Sequence, residues 1–160
     1  MTPANFTIIP IQPGFVQRAR LGRDDQDQAV QRLTAEGGEP LRDQLRRALP
    51  GEAILLASYC PFEVVGPYKE YGPVFISADL PAPAAAPARL PLREHGNYFG
   101  DTLVLRAYSG DERIVDAAVT SAVEAEARLA TLLAQPEVAF VLARFVAYGC
   151  YGCRIERPTR

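Results

Sequence analysis

The sequence predicts an α+β fold: a mostly antiparallel sheet with two or three helices packed on it, in a single domain spanning residues 1–160. Three observations carry this expectation. The chain has 160 residues, 48% of them apolar and 22% charged, which is ordinary globular composition for one domain. Strand-like apolar runs recur along the whole length. Between them lie stretches with apolar residues three and four apart, the spacing of a half-buried helix. A chain of this size buries about 70% of its unfolded surface, enough for a core without metal or disulfide support.

Taken in order, Phe6–Ile11 is the first expected strand and residues 13–23 are expected to be irregular. A helix is expected from Asp25. Asp24 or Asp25 can cap it, Ala29, Val30 and Leu33 share a face, and Gly37-Gly38 stops it. Pro40 suits a helical first turn, and Leu41, Leu45 and Leu49 recur at four-residue spacing before Pro50-Gly51 ends a second helix. Ala53–Tyr59 is a continuous apolar run, expected as a buried strand, followed by a loop over residues 61–71 and a short strand over Pro73–Ser77. Residues 80–92 hold four prolines and several alanines and read as a stiff extended connector within the domain.

Thr102–Tyr108 and Arg113–Val119 flank turn residues Ser109-Gly110-Asp111-Glu112 and read as a hairpin. Ser121 and Glu124 have capping-box spacing, and Ala122, Ala125, Leu129, Leu132 and Leu133 form an apolar stripe behind them. Val138–Ala147 is apolar on both alternating faces, the mark of a central strand covered on two sides. One face carries Val138, Phe140, Leu142 and Val146 together with Arg144; the other carries Ala139, Val141, Ala143 and Phe145. A turn at Tyr148-Gly149 leads into a last strand over Cys150–Arg157.

Composition narrows the function classes. The formal charge of −2 leaves no electrostatic footprint for nucleic acid. The cluster Arg42, Arg46 and Arg47, with Asp43 inside it, reads as a solvated helix face. No run approaches the ~18 apolar residues of a membrane span, and no signal-peptide pattern opens the chain. Three cysteines make an odd, low count, unlike a secreted disulfide framework. A cytoplasmic location is the expectation.

Candidate chemistry concentrates in the C-terminal third. Arg144 cannot shed its charge, so burial demands either an internal carboxylate or an anionic ligand. Cys150-Tyr151-Gly152-Cys153 is a C-x-x-C, but no helix follows to lower a thiol pKa. As zinc ligands the pair would need Cys60 and His95, which are scattered. In an extended segment Cys150 and Cys153 point to opposite faces, with Cys153 joining Tyr151 and Ile155 in the core. His95 lies in a polar loop without a nucleophile motif beside it. Tyr59, Tyr68, Tyr71, Tyr148 and Tyr151 stand near the expected strands and suit either packing or recognition of a small molecule.

Several stretches together carry a resemblance. These are Pro40-Leu41-Arg42, Pro50-Gly51-Glu52 before Ile54-Leu55-Leu56, Pro67-Tyr68 with Gly72-Pro73-Val74-Phe75-Ile76, and Gly149-Cys150-Tyr151-Gly152-Cys153-Arg154. In this order, from about Gly38 to Arg157, they resemble the bacterial domain-of-unknown-function family numbered 1203. The resemblance implies a small single-domain protein of uncharacterised activity and supplies no catalytic residues. The family often has Pro-Cys-Arg at Pro40-Leu41-Arg42, a histidine at Pro61, and His-Asn-Ala-Arg-Pro at Arg144-Phe145-Val146-Ala147-Tyr148. The shared positions are Arg42, Tyr68, Cys150 and Arg154.

The leading expectation is a small-molecule-binding domain, enzymatic or not, that holds an anionic ligand among Arg144, Arg154, Arg42, Tyr68, Tyr148 and Cys150. No cofactor and no metal are expected. One alternative is a non-catalytic assembly protein, including a homodimer, that meets its partner through a strand edge or the Pro-rich connector. Another is a thiol or metal protein built on Cys60, Cys150 and Cys153.

Overall fold

The computed structural model describes residues 5–159. In chain order its elements are β1 (Thr7–Ile9), α1 (Pro13–Arg20), β2 (Gln31–Thr34), β3 (Pro40–Leu41), β4 (Arg46–Arg47), β5 (Ala53–Tyr59), β6 (Gly72–Ser77), β7 (Thr102–Tyr108), β8 (Ile114–Ser121), α2 (Ala125–Leu133), β9 (Phe140–Arg144) and β10 (Tyr151–Glu156). The strands make two five-stranded sheets, ordered β1-β10-β9-β7-β8 and β2-β5-β6-β3-β4. All pairings are antiparallel except β3 with β6.

The expectation of one sheet carrying two or three helices is therefore wrong. Among the described residues the fold is β-rich, with two sheets and two short helices of 8 and 9 residues. The error lies in residues 13–49. Residues 13–23, expected to be irregular, instead open with the helix Pro13–Arg20. Proline at the first helical position gives up only an amide that has no intrahelical partner. Phe15 and Ala19, four apart, bury the inner face.

Asp24, expected as a helix cap, instead holds a turn against a neighbouring strand. Its Oδ1 accepts from the backbone N–H of Gln26 and Gln28, each at 3.0 Å, and its Oδ2 from Ser58 N–H at 3.1 Å. Asp25 accepts from Cys60 N–H at 2.8 Å. The chain then leaves as β2, an edge strand along β5. The leucine spacing over residues 41–49 was equally misleading. Leu41 is fully buried, Leu45 has φ of 51°, and Leu49 is exposed. A left-handed residue stops an α-helix, so Arg46-Arg47 turns back along Pro40-Leu41 as a tight hairpin.

The later elements follow the sequence pattern. β9 lies between β10 and β7 with all five residues buried. One of its faces, Val141 and Ala143, packs with Leu129 and Leu132 of α2 and with Leu90, Leu92, Tyr98 and Phe99. The other, Phe140 and Leu142, joins Phe15 of α1 and Leu55, Val74 and Ile76 of the second sheet in one inter-sheet core. Val138 precedes the strand and sits with the α2 cluster, not on the Phe140 face. Residues 80–92 contain no helix or strand, and Leu90 and Leu92 anchor their end in the core. The capping box does not form. Ser121 is the last residue of β8, its backbone held in the ladder opposite Thr102, and the helix begins without a side-chain cap.

Candidate ligand-binding site

β9 and β10 are joined by a tight turn. Phe145 N–H donates to Cys150 O at 3.1 Å, Gly149 N–H donates to Phe145 O at 2.9 Å, and Gly149 takes φ of 71°. Beyond the turn the ladder slips. Tyr151 faces Arg144 and Cys153 faces Ala143, so Gly152 forms a bulge. A Cβ on Gly152 would collide with the Phe99 ring and stand 2.8 Å from Ala143 O. The carbonyl of Gly152 accepts from the Tyr98 hydroxyl at 3.0 Å.

The bulge corrects the expected face pattern. Tyr151 points into the inter-sheet core, while Cys153 and Ile155 enter the α2 core. Cys150 stays at the surface of the turn and lines a cleft. Burial pushes the Cys153 thiol up to about 12 and raises that of Cys60. Among the described residues no three His, Cys, Asp or Glu side chains converge on a metal position.

Two concavities meet at this turn, sharing Pro73, Tyr148 and Cys150. The larger, about 630 Å³, lies between the turn and the β3–β4 hairpin. Arg42 and Arg47 line it, and both guanidiniums lie over the Phe145 ring, at 5.1 and 5.8 Å from its centroid. Arg42 is 3% exposed. Its Nε donates to Tyr151 O at 2.9 Å and its Nη1 to Pro40 O at 2.8 Å. Arg47 donates to Gly38 O at 2.7 Å and Asn97 O at 3.2 Å. Neither arginine has a carboxylate within ion-pair distance among the described residues. Two carboxylates do border the cleft. Glu36 is exposed, and Glu39 turns both oxygens to the N–H groups of Glu36 and Gly37, each at 2.8 Å.

The smaller concavity, about 230 Å³, is lined by Arg144, Glu70, Tyr59, Tyr71 and Tyr148. Arg144 pairs with Glu70, and its Nη1 donates to Gly149 O at 3.1 Å.

The structure thus places Arg42 in the larger concavity and Arg144 in the smaller, with Tyr148 and Cys150 bordering both, and leaves Arg154 and Tyr68 elsewhere. Arg154 lies on the far side of Tyr151, 3.7 Å over the Phe140 ring and 2.7 Å from Glu156. It lines a separate concavity of about 350 Å³. Tyr68 stacks under Arg113 at 5.7 Å. Tyr59 and Tyr151 form a buried ring pair at 5.1 Å, and burial raises Tyr59 to about 12. His95 is an exposed loop residue.

Sequence reasoning missed Arg47 and Phe145 as site residues. The signal was present in the basic cluster, but a helical reading of residues 40–49 sent it to solvent.

Residues 38–157 match the family profile described as "Protein of unknown function (DUF1203)". The chain belongs to this family. The matched span begins just before the β3–β4 hairpin and runs through β10, so it contains Arg42, Arg47 and the whole β9–β10 turn. No curated protein and no solved structure matches the chain. Among the described residues no helix is long and apolar enough to cross a membrane.

Proposed function

We propose that this family member binds a small anionic molecule, carrying a carboxylate or phosphate, in the cleft between the β3–β4 hairpin and the β9–β10 turn. The observation that carries the reading is Arg42: a nearly buried guanidinium whose protein partners are two carbonyls and a phenyl face, without a carboxylate. Burying a cation without a counter-charge is costly, and an oxyanion ligand offsets that cost. Arg47 over the same ring supplies a second cation, Tyr148 and Cys150 border the entrance, and Phe145 gives a flat apolar floor. Such a cleft, with a few polar groups on an apolar base, is the usual form of a small-molecule site.

A thermal-shift screen of small carboxylates and phosphates tests this on the wild type, Arg47→Gln and Arg42→Lys. The expected result is stabilisation of the wild type by a subset of anions, reduced in Arg47→Gln, which leaves the buried arginine in place. Equal responses in all three proteins would reject the reading.

A further inference from the structure

The contact between Arg144 and Glu70 differs from a settled ion pair in three respects. First, the carboxylate engages with one oxygen only. Glu70 Oε1 meets Arg144 Nη2 and also lies 3.5 Å from Arg106 Nη1, so two guanidiniums share one oxygen. Second, Arg144 Nε is buried and has no hydrogen-bond partner among the described residues. Nε and Nη2 are the two parallel donors of the guanidinium edge that grips a carboxylate side-on, so the fork is half filled. Third, the partners differ in their settings. The Arg144 side chain is 6% exposed and fixed on the central strand, whereas Glu70 is 45% exposed on residues 61–71, which contain no helix or strand.

From this geometry we infer that Arg144 and Arg106 form a carboxylate-binding site in which Glu70 is a tethered, displaceable occupant. A free carboxylate can lie square to Arg144, filling both Nε and Nη2, which Glu70 does not do. The concavity beside the fork is walled by Tyr59, Tyr71 and Tyr148 and by the rings of Pro61 and Pro73. The ligand class is therefore a compact carboxylic acid with a flat apolar body. Displacement releases Glu70 beside Lys69, so occupancy is read out as loosening there, while Phe62 in the inter-sheet core and the Glu63 and Val64 N–H groups on Glu112 keep the start of the segment in place. The inference stands apart from the Arg42 cleft, because it uses different cations.

The test is a calorimetric titration of benzoate, with acetate and phosphate as comparison ions, into wild type, Glu70→Gln, Glu70→Gln/Arg144→Lys and Glu70→Gln/Arg42→Lys. Removing a tethered competitor present at millimolar effective concentration is expected to tighten benzoate binding about tenfold in Glu70→Gln. Benzoate is also expected to raise the melting temperature of that variant. The gain is expected to vanish with Arg144→Lys and to survive Arg42→Lys. In the wild type, benzoate is expected to speed tryptic cleavage after Lys69, a readout that needs no variant to fold. Unchanged or weaker binding in Glu70→Gln makes the pair purely structural and overturns the inference. A gain that disappears with Arg42→Lys instead of Arg144→Lys also overturns it and moves the ligand to the larger cleft. Preference for phosphate over both carboxylates overturns the assigned class.

Discussion

Arg42 donates from Nε to the carbonyl oxygen of Tyr151 at 2.9 Å, a bond between residues 109 apart in sequence that joins the second sheet to the first. It forms at the point where β10 bulges, so the Tyr151 carbonyl accepts from a side chain. A leucine of similar bulk would leave that oxygen and Pro40 O without their donors. Arg42→Leu is expected to lower stability by about 3 kcal/mol, measured by urea denaturation. A loss within experimental error of zero would mean that these carbonyls find other partners.

Gly152 is required by close approach rather than by backbone angle. An added Cβ meets the Phe99 ring and Ala143 O, a carbonyl of the central strand that cannot retreat. Gly152→Ala is expected to cost about 3 kcal/mol through overpacking. Combining it with Phe99→Leu should recover part of that loss, because the ring is the first obstacle. Stability data on the single and double variants check both statements.

The Cys153 thiol is buried in the α2 core and pushed up to about 12 from an ordinary 9. At pH 8 its thiolate is depleted roughly a thousandfold relative to an open cysteine, since each pH unit is a factor of ten. A chromogenic disulfide reagent should therefore modify at most Cys60 and Cys150 in the native protein. All three cysteines of the chain should react after unfolding. Rapid native labelling of Cys153, located by peptide mass spectrometry, would contradict the placement of β10.

Glu52 locks the corner between β4 and β5. It takes a two-pronged pair from Arg46, at 2.7 and 2.9 Å, and accepts from Leu49 N–H at 2.7 Å. Arg46 and that amide hold its carboxyl down to about 2, from an ordinary 4.5. A depressed acid pKa stabilises the fold fully above the unfolded value and loses that contribution as pH falls from 4.5 towards 2. Both side chains are partly exposed, so solvent screening limits the pair to on the order of 1 kcal/mol. Glu52→Gln is expected to lower stability at pH 7 by about that amount and to flatten the decline between pH 4.5 and 2. A variant whose acid limb runs parallel to that of the wild type would rule out Glu52 as a contributor.

Legibility of the fold varied along the chain for a physical reason. Strands buried on one or both faces announce themselves, because the chain must place apolar side chains wherever it meets a core. β5, β6, β7 and the two-sided β9 are legible in this way, whereas β8, mostly exposed, is legible from the turn residues before it. Over residues 25–49 the same rule fails. Apolar positions spaced by four fit a helix, but they equally fit a short hairpin with one buried and one exposed leucine. Local pattern cannot choose when the competing partners are distant, as Ser58 N–H is for Asp24. In the site, Arg42, Arg144, Tyr148 and Cys150 were visible as residue types, while the pairing of Arg42 with Arg47 over Phe145 was not.

By itself the sequence determined which C-terminal segments enter a sheet, that one permanent cation lies on the inward face of its central strand, and where the chain turns. The tertiary structure alone decided which cation keeps a carboxylate and which does not. It also decided that Tyr151 and Cys153 part company across the sheet. Both outcomes depend on a one-residue slip at Gly152 and on a contact between residues 109 apart, and no local preference of the chain encodes either. A slip of one residue in a strand exchanges its faces, so the last part of the site was set by packing against Phe99 and Ala143 rather than by the pattern of the strand.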